Sequence, residues 1–134
     1  MAQLSKRYGT SAQKEAEGVW VNLGDGIRVK VARANNPAHM KITERLIKPF
    51  RRQIQNNSIS MDKTNELTIK AMSLGILKDW EGIEDEKGKP IPYSEEMAEI
   101  ILTEYKDFRE EISEISQSME MYRKEEIEEE QKNS

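Results

Sequence analysis

The sequence predicts a mainly α-helical α+β domain, with an N-terminal β-hairpin set on a small bundle of three to four helices. Three observations predict it. Apolar residues alternate with period two only between Val19 and Val31. From Pro37 onward they recur every three to four residues, the period of one helix face. Gly, Pro, Asn and Ser gather between those stretches, as in "NNSIS" and "EKGKPIPYS", where a chain turns.

Residues 1–16 are polar, contain Gly and Ser and show no period, so a flexible N-terminal arm is expected. A single domain is expected over residues 17–125. It divides into the hairpin at 17–33, a helical pair at 36–79, an ordered Pro/Gly loop at 80–94 and C-terminal helices at 95–125. Residues 126–134 read as an acidic flexible tail.

In the hairpin, Val19, Val21 and Leu23 precede "GDG", and Ile27, Val29 and Val31 follow it. A three-residue loop, Gly24-Asp25-Gly26, pairs these residues on one apolar face and asks Gly26 to be left-handed. A plain two-residue loop would place Asn22 opposite Val29 and mix the faces. Gly24 and Gly26 are therefore structural residues. The other face carries Trp20, Asn22, Arg28 and Lys30. A lone hairpin is marginal in water, so the apolar face must cover helices or another chain.

The first helix starts at Asn36, with Pro37 at its first position. Ile42, Leu46, Phe50 and Ile54 form its apolar line, and Pro49 predicts a kink or break near Lys48. A second helix is expected from about Met61 to Lys78, capped by Ser58 or Ser60, with Leu67, Ala71, Leu74 and Leu77 along one side. "DWEGIEDEKGKPIPYS" is expected to be an ordered loop or tiny hairpin pinned by Trp80 and Tyr93. Ser94 caps the next helix, where Glu95 and Glu96 suit the positive end of the dipole. Beyond it, Ile101, Tyr105, Phe108, Ile112, Ile115, Met119 and Tyr122 alternate steps of four and three. That spacing is the seam of a coiled coil or bundle face over roughly three heptads.

Composition bounds the chemistry. With 36% hydrophobic and only 6% aromatic residues, the core is modest, and a deep substrate pocket is not expected. There is no cysteine, hence no disulfide and no thiolate metal site. No run approaches the ~20 apolar residues of a membrane span, and the first residues lack the apolar core of a secretory signal. A cytoplasmic location and no membrane partner are the expectation. His39 is the only histidine, and no acid or nucleophile is spaced to join it, so it reads as a surface residue. Asp79, Glu81, Glu84, Asp85 and Glu86 do not have the spacing of an EF-hand loop. No catalytic, cofactor-binding or metal residues are expected, and the protein does not read as an enzyme.

Charge is unevenly placed. Residues 1–70 carry 13 Lys/Arg against 6 Asp/Glu, a net of +7, and residues 95–134 carry 5 against 14, a net of −9. A basic front and an acidic back can dock within one molecule or head to tail between molecules. A solvated surface with an acidic tail gives the same distribution. Lys41, Arg45, Lys48, Arg51 and Arg52 form a basic helical stripe that nucleic acid would fit. The overall net charge of −4 argues against that partner.

The segments "EGVWVNLGDGIRVKVAR", "NNPAHMKITERLIKPFRRQI", "ILKDWEGIEDEKGKPIPYS" and "EEEQKNS", in this order, resemble tail assembly chaperones of long-tailed bacteriophages. The resemblance covers roughly residues 17–134. Its most specific piece is "DWEGIEDEKGKPIPYS", a Trp-Glu-Gly, acidic, Gly-x-Pro, aromatic-Ser pattern. The resemblance implies a non-catalytic protein of the bacterial cytoplasm. It would bind the hydrophobic tape measure protein until the tail tube protein polymerises, and would be absent from the mature virion. It also implies a longer product made by programmed frameshifting. Gln131-Lys132-Asn133 can be encoded as CAA AAA AAC, which contains a slippery A AAA AAC.

The protein-binding candidates are Trp20, Arg28 and Lys30 on the hairpin and Phe108, Ile112, Ile115, Met119 and Tyr122 on the C-terminal seam. Pro37, Pro49, Trp80 and Tyr93 are structural. Self-association into a homo-oligomer through the seam is open on this reading. The competing functions are a small nucleic-acid-binding or regulatory phage protein and a structural tail component.

Overall fold

A computed structural model describes residues 1–124. The end of the expected C-terminal helices at residue 125, the acidic tail and the slippery-codon residues lie outside the described residues. The fold is α+β. Its order is α1 (Leu4–Tyr8), α2 (Ala12–Glu17), β1 (Val19–Gly24), β2 (Ile27–Val31), α3 (Pro37–Ile47), a 3-10 turn (Lys48–Phe50), α4 (Arg51–Gln55), α5 (Met61–Gly75), β3 (Leu77–Glu81), α6 (Glu95–Glu104), α7 (Lys106–Gln117) and a second 3-10 turn (Met119–Tyr122). The helices outnumber the three to four expected.

The hairpin register matches the apolar pattern: Val19 faces Val31 and Val21 faces Val29. The loop differs from the three-residue expectation. Gly24 pairs with Ile27, so the turn is the two residues Asp25-Gly26, both at positive φ (54° and 80°). A bulge between Asn22 and Gly24 absorbs the extra residue and removes the face-mixing that a plain two-residue loop imposes. Gly24, at φ 92°, and the Asn22 Oδ1 that accepts its N–H at 2.9 Å shape that bulge.

The hairpin is not alone. β3 adds antiparallel to β2, giving the sheet order β1-β2-β3. Residues 77–81 were expected as helix end and loop, yet α5 stops at Gly75. Leu77 therefore lies on a strand, opposite Val31, and Trp80 opposite Val29. A bulge at Lys30/Val31 turns Leu77 and Trp80 to the same buried face. Sheet pairing outweighs the helical spacing of Leu74 and Leu77 because it satisfies the free edge of β2.

The core lies between that face and three helices. Val29, Val31, Leu77 and Trp80 pack with Ile69, Met72 and Ile76 around the α5 end, with Ala98, Ile101 and Leu102 of α6, and with Ile112 and Ile115 of α7. α3 lies against α5. Gly75 permits the close approach, since a Cβ there would sit 3.0 Å from His39 Cα. Asn36 joins the two helices. Its Oδ1 accepts the His39 N–H at 3.0 Å, and its Nδ2 donates to the carbonyls of Arg33 at 2.7 Å and Gly75 at 3.2 Å. Pro49 sits in the 3-10 turn that separates α3 from α4.

The continuous C-terminal seam does not exist. Tyr105 leaves the helical conformation (φ −110°, ψ 85°) and ends α6. The Arg109 guanidinium donates to the Leu102 carbonyl at 2.8 Å and covers the opened end. An unbroken helix over residues 95–117 would run about 35 Å, nearly twice the ~17–20 Å of a typical strand. The break lets α7 fold back, and Ile112 and Ile115 then bury in the core while Tyr105 stays 55% exposed.

The first residues also differ from the expected loose arm. α1 and α2 are helical, and α2 is anchored on both sides. The Arg33 guanidinium pairs with Glu15 at 2.9 Å, and the Thr10 hydroxyl donates to Glu15. The Ser11 N–H donates to the Tyr122 carbonyl at 2.7 Å, and Thr10 bridges to Arg123.

Candidate functional site

Four regions of the surface carry groups that could bind a partner. The first is the strap at residues 80–94. Trp80 Nε1–H donates to the Ile91 carbonyl at 2.7 Å, and the Tyr93 hydroxyl donates to the Leu77 carbonyl at 2.8 Å. The two rings meet edge to face, 5.0 Å apart. Glu84 and Pro90 form a small bridge, and Gly82 lies so close to the hairpin turn that a Cβ would sit 2.0 Å from the Gly26 carbonyl oxygen. The strap is thus pinned to the body rather than free. Burial, reinforced by Glu95 and Asp79, raises the Tyr93 phenol to about 12.

The second is the outer sheet face. Trp20 and Lys30 are cross-strand partners, and the Arg28 guanidinium lies 4.8 Å from the Trp20 ring centre. Arg28 also pairs with Glu81 at 2.9 Å. Trp20 and Arg28 are exposed and Lys30 is half-buried, giving a polar surface with one aromatic plate.

The third is a groove of about 460 Å³ where α3, α4 and α5 meet α7. Leu46, Ile47, Ile54, Ile59, Leu67 and Met72 supply its apolar wall, with His39 and Ser113 among the polar groups. α3 and α4 contain no fully buried residue. Met40 and Met61 project beside them, 58% and 76% exposed. His39, expected at the surface, is half-buried here. Its Nδ1 accepts the Asn35 N–H at 3.0 Å, and burial lowers its pKa.

The fourth is a shallower groove of about 830 Å³ at the α6–α7 break. It is floored by Ile83, Ile91, Ile100, Tyr105 and Phe108 and edged by Glu84, Asp85, Glu86, Glu104 and Asp107.

The candidates from the seam separate accordingly. Ile112 and Tyr122 are fully buried and Ile115 nearly so, which removes them as partner-binding residues. The Tyr122 hydroxyl donates to the Val31 carbonyl at 3.0 Å and its phenol is raised to about 12, chiefly by burial. Met119 is half-buried in the last 3-10 turn. Only Phe108 reaches a groove. Trp20, Arg28 and Lys30 lie together on the outer sheet face and line neither groove. Neither groove was foreseen. The helix periods were legible, but which faces remain uncovered depends on the Tyr105 break and on β3.

Among the described residues, no group of three His, Cys, Asp or Glu side chains could hold a metal ion. No helix among them is long and apolar enough to cross a membrane. No curated protein and no solved structure matches the chain. Residues 34–133, which contain both grooves' helices, match the model of the YdaY prophage protein family. That match spans well over half of the 134 residues, and the chain belongs to the YdaY prophage protein family.

Proposed function

We propose that this prophage protein is a non-catalytic tail assembly chaperone that binds the tape measure protein and assists tail tube assembly in the bacterial cytoplasm, without remaining in the virion. The observation that supports this reading is the apolar groove between the α3–α5 hairpin and α7. Its apolar lining suits the apolar face of an amphipathic helix, the form in which a long helical client presents itself. The surrounding surface is heavily charged, with 34% Asp, Glu, Lys and Arg in the chain, which keeps a client complex in solution. The partner's identity comes from the resemblance of residues 17–134 to phage tail assembly chaperones.

The test is co-expression with the tape measure protein of the same prophage. Wild-type protein is expected to hold it in the soluble fraction and to co-purify with it. Ile54→Asp with Leu67→Asp places charge in the groove at positions that are not fully buried. This variant should keep its circular dichroism spectrum and lose the client. A tape measure protein that stays insoluble beside the wild type, or stays soluble beside the folded variant, would refute the proposal.

A further inference from the structure

The groove at the α6–α7 break is apolar in its floor and negative at its rim. Among the described residues, Glu84, Asp85, Glu86, Glu104 and Asp107 make no ion pair. The same chain carries a complementary surface. Lys41, Arg45, Lys48 and Arg52 are spaced four, three and four residues apart along α3, the 3-10 turn and α4, and all are exposed. None of them has an ion-pair partner among the described residues. Met40 stands next to this stripe, 58% exposed.

The stripe and the rim of one molecule do not face each other. The acidic groove takes in Lys106 to Phe108, the first turn of α7. The helical hairpin borders Ser113 to Gln117, its last turns. From Asp107 to Gln117 the helix rises about 15 Å. That exceeds the screening length of about 8 Å at physiological salt.

We propose that the groove at the α6–α7 break receives the basic α3–α4 edge of a second copy, with Met40 against Tyr105 and Phe108 and the stripe against the acidic rim. The contact joins two different surfaces, so it is head to tail and leaves one groove and one stripe free at the ends of each assembly. Mass then grows with concentration instead of stopping at a dimer. This inference does not depend on the chaperone reading.

Light scattering across a concentration series at low and high salt tests it. Wild-type mass should rise above 15.5 kDa at low salt and return towards it at high salt. Glu104→Lys with Asp107→Lys should be monomeric, as should Arg45→Glu with Arg52→Glu. Mixed together, the two variants should associate again. The reversed groove of one then meets the reversed stripe of the other, and the untouched surfaces also match. Wild type that stays at 15.5 kDa throughout overturns the proposal, as does a mixture that stays monomeric. Duplex DNA bound by the stripe while the mass stays monomeric also overturns it, and assigns the stripe to nucleic acid. If a reversal loses helical signal, Met40→Ser, which alters no charge, carries the test. Association at least tenfold weaker is expected, and unchanged association overturns the proposal.

Discussion

Replacing Trp80 by alanine probes the junction of sheet, strap and helices in one step. The indole is 5% exposed, sits on β3 opposite Val29, donates to the Ile91 carbonyl at 2.7 Å and meets the Tyr93 ring at 5.0 Å. Truncating a buried aromatic costs about 3–5 kcal/mol through lost transfer energy and the cavity left behind. The missing hydrogen bond contributes about 1 kcal/mol, since Ile91 is half-buried and its carbonyl regains some water. Trp80→Ala should therefore lose about 4–6 kcal/mol, a quarter or more of the ~5–15 kcal/mol by which a native domain is stable. Trp80→Phe keeps most of the ring and forfeits the hydrogen bond, so about 1–2 kcal/mol is expected. The assay is urea unfolding followed by circular dichroism, in a Trp20→Phe background that leaves Trp80 as the single tryptophan of the parent. Parent emission should be blue-shifted and move red on unfolding. A loss below about 1 kcal/mol for the alanine variant, or free-indole emission from the folded parent, would refute the placement of Trp80 in the core.

Three further outcomes are expected. Gly82→Ala should destabilise far more than Gly24→Ala or Gly26→Ala. All three have positive φ, which costs about 1–2 kcal/mol for a side chain, but only at Gly82 does the new Cβ meet a backbone oxygen; equal melting shifts would refute this. Tyr93 and Tyr122 have phenols raised from 10.0 to about 12, so the unfolded chain ionises first and stability should fall as pH rises from 10.0 to about 12. Tyr93→Phe with Tyr122→Phe should flatten that fall, measured by urea unfolding against pH. Asn36→Asp keeps the cap on His39 N–H but removes both Nδ2 donations in a site only 3% exposed, so it should cost more than about 2 kcal/mol and more than Asn36→Ser, read by thermal melts.

Local chemistry was legible wherever the cause was local. The caps at Asn36, Ser60 and Ser94 each accept the backbone N–H expected of them. Period two placed the valines of β1 and β2 opposite one another, and Pro49 interrupted its helix because it lacks an N–H to donate. The α+β class followed from these periods. What the sequence could not convey were decisions that compare distant segments. Leu77 has helical spacing from Leu74, yet the open edge of β2 takes residues 77–81 as a strand. The four-and-three spacing from Ile101 to Tyr122 is real, but no Gly or Pro marks the break at Tyr105. The break follows from the size of the body against which α7 must fold. That one fold-back buries Ile112, Ile115 and Tyr122 and opens the groove beside Phe108. Periodicity determines which side of each helix is apolar, because it is a property of neighbouring residues. Which of those sides stays uncovered is decided only when the elements compete for the same core.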